Sequence, residues 1–167
     1  MFSIYTGGGK GKTTASIGLI IRAKGANKQV CLIQFLKSNK SCEEGILNKL
    51  DIKVKRFGGK EFIINKPSKE DIKKAQKAIN YIYKTIKEDK IDLLVLDEIN
   101  LAIYFELVSL QDAKKIVKEC DLKNIELVFT GRNANSELIK IADLVSEIKE
   151  IKHYFNKGII ARKGFEY

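Results

Sequence analysis

Hydrophobic positions in this chain gather in short runs: Phe2 to Tyr5, Gln29 to Phe35 (QVCLIQF), Ile91 to Asp97 (IDLLVLD) and Ile125 to Thr130 (IELVFT). Near-continuous apolar runs of that length predict strands buried on both faces of a parallel sheet. Ile52 to Phe57 (IKVKRF) alternates instead, which predicts a strand with one wet face. Helical periodicity fills the intervals. Lys12 to Lys24 reads as a helix stopped by Gly25, with Ile17, Leu19, Ile20 and Ile21 on its buried side. Glu43 to Leu50 is a short helix after the polar loop Lys37 to Cys42. Ser68 and Asp71 form a capping box that starts a long helix to about Glu88. Ile99 to Leu107, a segment capped by Ser109 with Asp112 three residues on, and Ser136 to Ala142 complete the helices. Leu144 to Tyr167 reads as strands with a turn at Asn156-Lys157-Gly158.

Strands alternating with helices predict right-handed βαβ units: an α/β fold with a mainly parallel sheet flanked by helices, over a single domain of residues 1–167. Ligands of such sheets bind at the carboxyl ends of the strands. That edge would gather Gly7 to Thr13, Gln34, Asp97, Glu98, Thr130 and Arg132.

The stretch Phe2 to Thr14, FSIYTGGGKGKTT, narrows the picture. A strand enters a glycine turn, and Lys12-Thr13-Thr14 open a helix, the layout of a phosphate-binding loop of P-loop, RecA-like type. Amides of Gly7, Gly8, Gly9, Lys10, Gly11, Lys12, Thr13 and Thr14 would converge on an anion. Lys12 adds charge, and Thr13 offers a hydroxyl to Mg²⁺. The usual G-x-x-x-x-G-K-[ST] spacing puts its first glycine at Thr6, so this loop is one residue short. Asp97 closes an apolar strand, the setting of a second acidic element that binds Mg²⁺ directly or through water, although such a residue can also simply start a helix. Glu98 is open to three roles: second metal contact, general base or cap.

Composition adds limits. The 167 residues are 44% hydrophobic and 31% charged, a globular balance, with no run long enough to span a membrane and no signal peptide. Met1 abuts the first strand. Cys31, Cys42 and Cys120 have no metal-ligand spacing and read as reduced thiols of a cytoplasmic protein, Cys31 within the core. A net charge of +10 favours anionic partners. Its lysines are spread over helices and strands, without the dense basic stretch or clustered aromatics of a nucleic-acid site, so nucleic acid ranks last as a partner.

In ordered motifs the chain resembles the P-loop family of corrinoid adenosyltransferases, which act on cob(I)alamin or cob(I)yrinic acid a,c-diamide. TGGGKGKTTASIG is similar to the family's shortened loop, and Arg22 falls where the family has an arginine on the first helix. QVCLIQFLK is similar to its second strand and the lysine that follows, LLVLDEIN to its acidic strand end, and FTGRN to its Thr-Gly-Arg turn. ADLVSEIKEIKHYFNKGIIARKGFEY is similar to its closing segment.

This resemblance implies a specific chemistry. Co(I) of a reduced corrinoid attacks C5′ of ATP, and triphosphate leaves. Lys12 and Mg²⁺ on Thr13, Asp97 and Glu98 would stabilise the leaving group. Lys10 is a further candidate or a solvent-facing lysine. Arg22 contacts the phosphates by family analogy, or is a helix-surface arginine. Arg132 meets a ligand or caps a turn. Phe62 falls near an aromatic that the family places beneath the corrin ring, where Ile64 replaces a second aromatic. His153 is expected to be a hydrogen-bonded structural residue. A flavoprotein reductant and a homodimer are implied as well. Some members also carry a leading segment over the active site, so the corrinoid site here is expected to be more open or covered otherwise. A small P-loop ATPase or kinase of another class is the alternative.

Overall fold

This computed structural model describes residues 1–37, 41–59, 66–88 and 90–166. The strands are β1 (Phe2–Thr6), β2 (Val30–Phe35), β3 (Lys53–Phe57), β4 (Leu93–Asp97), β5 (Glu126–Thr130) and β6 (Leu144–Glu147). The helices are α1 (Lys12–Gly25), α2 (Cys42–Lys49), α3 (Lys69–Glu88), α4 (Ile99–Tyr104), α5 (Leu110–Leu122) and α6 (Ser136–Ile141). The strands form one sheet in the order β3-β2-β4-β5-β1-β6, and every pairing is parallel. The α/β architecture expected from the alternation is therefore present, and the sheet is parallel throughout.

Side chains on a strand alternate between faces, and that parity builds two cores. Cys31, Ile33 and Phe35 of β2 join Leu94 and Leu96 of β4, Leu127 and Phe129 of β5, and Phe2 and Ile4 of β1. This face is covered by the stripe Ala75, Ala78, Ile79, Ile82 and Ile86 of α3 and by Ala113 and Ile116 of α5. The opposite parity, Val30, Leu32, Leu93, Val95 and Val128, packs with Ile20 of α1 and Leu47 of α2. Among the described residues no helix is long and apolar enough to cross a membrane.

Local signals set the boundaries. Ser68 and Asp71 exchange the two expected capping bonds, Asp71 N to Ser68 Oγ at 3.2 Å and Ser68 N to Asp71 Oδ2 at 2.9 Å. Ser109 accepts from Asp112 N at 3.0 Å to start α5. α4 ends sooner than expected: Glu106 is left-handed (φ 58), and Leu107 N turns back to Ala102 O at 2.9 Å. Ile21 is not on the buried side of α1, being 41% exposed. The inward stripe there is Lys12, Ser16 and Ile20, and Ile21 lies one step, about 100°, farther round.

The closing segment needs a larger correction. Only Leu144 to Glu147 pair as a strand, and Tyr154–Lys157 is a 3₁₀ turn ended by Gly158 at φ 78. The apolar residues of that alternation, Ile151, Phe155, Ile160 and Phe165, are exposed rather than set in a second strand of the sheet. Cys31 and Cys120 are buried, Cys42 is exposed, and none forms a disulfide.

Candidate active site

Strand parity also assembles the site. Gln34, Asp97 and Thr130 continue the parity of Leu32, Val95 and Val128, so all three lie at the carboxyl ends of their strands on the α1 side. β5 lies between the strand that carries the phosphate loop and the strand that carries Asp97. Its terminal Thr130 hydroxyl spans the gap, donating to Asp97 Oδ1 at 2.6 Å. Thr13, in the first turn of α1, donates to the same oxygen at 2.9 Å. On Oδ2, Lys37 Nζ stands at 2.7 Å and Gln34 Nε2 at 3.1 Å. Asp97 is fully buried, yet each carboxylate oxygen has two donors. Burial alone would push its carboxyl up, but the charge of Lys37 and the bonds from Lys37, Thr130 and Thr13 outweigh it and hold the carboxyl below its usual range.

The loop itself is open toward an anion. α1 has no side-chain cap and no acidic residue in its first turn, so the amides at Gly11 to Thr14 carry the positive end of the helix without an internal partner. Gly7 (φ 101) and Gly11 (φ 123) take conformations that L side chains avoid. A Cβ on Gly7 would lie 2.4 Å from Ile148 O, and one on Gly9 2.8 Å from the Lys149 backbone. The Gly9 amide donates to Ile148 O at 2.8 Å, so the closing segment lies directly against the loop. Lys12 is buried, its ammonium bound by Gly7 O at 2.8 Å and Gly9 O at 2.7 Å. Burial draws its pKa down.

Glu98 is left-handed (φ 61) and half-buried. Its amide donates to Thr130 Oγ1 at 3.0 Å, while its side chain makes no cap bond, which removes capping from its three roles. Burial and then the negative charge of Asp97 raise its carboxyl above the usual range. Thr130-Gly131-Arg132 turns against it: a Cβ on Gly131 (φ 126) would lie 3.2 Å from Glu98 Oε2. Asn100, fully buried, holds the turn by donating to Gly131 O at 3.3 Å. Arg132 is exposed, and its charge acts on both Lys12 and Glu98.

The structure thus brings together Gly7 to Thr14, Asp97, Glu98 and Arg132. Arg22 is not among them. It is exposed in the last turn of α1, nine residues past Thr13, about 13 Å along the axis at 1.5 Å per residue. That is the surface reading of Arg22. The Lys10 ammonium binds Tyr154 and Glu166 rather than the loop. His153 accepts from Phe155 N through Nδ1 at 3.1 Å, a structural cap on the 3₁₀ turn. Phe62 and Ile64 lie outside the described residues.

Two contributors were given no role from sequence, although the lysine after the second strand was matched within the family resemblance. Lys37 follows Leu36, whose left-handed φ of 58 turns the chain as it leaves β2, and Gly58 lies so close to Lys37 that a Cβ would stand 2.3 Å from its backbone. A lysine just past a strand neighbouring the acidic one was the available signal. Asn100, the residue two after Glu98, was the other.

A model of the ATP:corrinoid adenosyltransferases BtuR/CobO/CobP matches residues 1–167. The chain belongs to this family. A corrinoid adenosyltransferase of Sinorhizobium sp. is 32% identical over 98% of this chain and 78% of its own length. Those of Pseudomonas aeruginosa and Escherichia coli K12 are 30% and 28% identical, each over 98% of this chain and 82% and 84% of their own. The corrinoid adenosyltransferase family is one of transferases, and it fits the site: a phosphate loop with a buried carboxylate opposite it, on an α/β sheet.

Proposed function

We propose that this chain transfers the 5′-deoxyadenosyl group of ATP to the Co(I) centre of a corrinoid, in adenosylcobalamin biosynthesis or salvage. The electron pair of Co(I) forms the bond to C5′, the C5′–O bond breaks, and its electrons leave on triphosphate. Negative charge therefore grows on the chain of phosphates that the loop holds. The observation that carries this reading is the uncapped N-terminus of α1, facing outward beside a buried, four-fold hydrogen-bonded Asp97.

Loop amides from Gly7 to Thr14, except that of Gly9, which Ile148 O already receives, and the Lys12 ammonium bind and orient the triphosphate, and Arg132 adds a second charge. To reach it, Lys12 gives up the Gly7 and Gly9 carbonyls that hold it now. The donor set fits Mg²⁺. Thr13 gives its proton to Asp97, which leaves the lone pairs of its hydroxyl free for a cation, and Glu98 offers a second oxygen. Asp97, filled by four donors, acts through Thr13. No cluster of three or more His, Cys, Asp or Glu side chains suited to a metal occurs among the described residues, as suits an ion that phosphates and water complete. Bound there, Mg²⁺ would neutralise charge on the departing triphosphate.

The resemblance adds the remaining parts of the reading: a homodimer in the cytoplasm, a flavoprotein that supplies the electron for Co(II), and Phe62 beneath the corrin ring. Phe62→Ala should slow the reaction most when it starts from Co(II) and a protein reductant. An equal loss from Co(I) would assign Phe62 to binding or packing.

The deciding assay is anaerobic incubation with Mg·ATP and a chemically reduced corrinoid. The expected products are triphosphate and a light-sensitive alkylcobalt species. Release of ADP or orthophosphate without dependence on the corrinoid would replace this reading with that of a small P-loop ATPase or kinase.

A further inference from the structure

The most extensive charged network outside the site lies where the closing segment returns to the phosphate loop. Lys10 Nζ is 2.7 Å from Tyr154 Oη and 2.7 Å from Glu166 Oε1. Tyr154 also donates to Glu166. The other carboxylate oxygen of Glu166 accepts the Arg162 amide at 2.6 Å and its Nε at 3.3 Å. The Arg162 guanidinium lies 5.0 Å from the centres of both the Tyr154 and Phe165 rings. One backbone bond, Gly9 N to Ile148 O, adds to the seam.

Burial says what this network is for. Among the described residues, none beyond Leu138 belongs to the buried apolar core, and Ile151, Phe155, Ile160 and Phe165 are exposed. The segment is thus held by polar contacts, and those of Glu166 converge on the loop. A loop with glycine at 7, 8, 9 and 11 loses more conformational freedom on ordering than one built of residues with side chains. An anchor outside the binding face lowers that cost before the ligand arrives.

We propose that Glu166 is a positioning residue for the nucleotide: by gripping Lys10, with Tyr154 and Arg162 as supports, it holds the glycine loop in its anion-binding shape. The inference rests on the reading that this loop binds the triphosphate of ATP. Hydrogen bonds from Arg162 and then Lys10 and Tyr154 hold the Glu166 carboxyl well below the usual range, and the bond to Glu166 raises Lys10, so the grip is charged at working pH. Glu166 acts through the loop and touches neither substrate.

The test is equilibrium binding of Mg·ATP to the full chain without corrinoid, combined with a KM-against-kcat split in the transfer assay. Glu166→Gln and Lys10→Met should each weaken ATP about tenfold, and the double variant should be no weaker than the worse single one. KM for ATP should rise while kcat at saturating ATP stays within about threefold. Thermal midpoints should stay close to wild type, since neither side chain belongs to the core. Additive losses, or weakened binding matched by a large fall in thermal midpoint, would overturn the proposal. Tighter ATP binding by Glu166→Gln would also overturn it, by showing that Glu166 competes with phosphate for Lys10. If the wild type binds ATP but forms no adenosyl product, the functional reading fails, while the binding comparison still decides the role of Glu166.

Discussion

Lys37→Ala tests the electrostatics of the site most directly. The substitution leaves a carboxylate with no solvent exposure and removes the cation 2.7 Å from Oδ2. Breaking a fully buried ion pair costs about 3–5 kcal/mol. The Lys37 side chain is 28% exposed, and Thr13, Thr130 and Gln34 still donate to Asp97, so about 2–3 kcal/mol is expected. At roughly 2–4 °C per kcal/mol for a domain of this size, the thermal midpoint should fall by about 5–10 °C at neutral pH. The pH dependence identifies the cause. In the wild type the Asp97 carboxyl is lowered, so its stabilisation is present above the unfolded pKa and is lost as pH falls through the lower folded value. Without Lys37, burial dominates and the carboxyl rises. The variant's penalty then applies at neutral pH and vanishes as pH falls below the unfolded value, near 4. Melting both proteins by circular dichroism from about pH 7.5 downward should show the gap closing. A gap of constant size would refute the argument and assign the loss to packing. Lys37→Ala combined with Asp97→Asn should recover part of the stability, because no charge is then left unpaired.

Three further outcomes follow from the geometry. Lys12→Ala should lower kcat/KM for ATP by about a hundredfold or more with little change in circular dichroism, and wild-type turnover would remove Lys12 from the leaving-group role. Gly7→Ala combines φ 101 with a Cβ 2.4 Å from Ile148 O, so ATP binding by titration calorimetry should largely disappear; unchanged affinity would show that the loop tolerates a shift of Ile148. Glu98→Gln should abolish most activity yet raise the thermal midpoint at neutral pH. A carboxyl raised by burial costs stability above its folded pKa, and the gain should fade as pH falls through that raised value and be gone below the unfolded one, near 4.5. A stability loss at neutral pH would instead show that Glu98 is needed for packing.

The fold was legible because its signals are local. Apolar runs, capping pairs at Ser68 and Ser109, and a glycine loop that ends in Gly-Lys-Thr each act within a few residues. Asp97 was legible for the same reason, as an acid that closes an apolar strand. Lys37 was matched only as the lysine after the second strand; its role was not legible, because it lies in a contact 60 residues away that depends on strand order. Glu166 meets Lys10 across 156 residues, and no periodicity reports such a contact. Arg22 matched a motif position, and the fold places it exposed in the last turn of α1, the surface alternative that the sequence had left open. The turn at Asn156-Lys157-Gly158 was read correctly, but the residues flanking it were read as strand because apolar alternation on a surface segment imitates a pleat.

The place of β1 bears on how the protein is made. Phe2 faces Leu127 of β5, and Ser3 faces Leu144 of β6, so the earliest-made of the six strands has both of its neighbours among the two made last. β2, β3 and β4 can pair with one another much earlier. Throughout most of synthesis the phosphate loop therefore hangs from an unpaired apolar strand, and the Gly9 amide has no Ile148 carbonyl to meet until the closing segment has emerged.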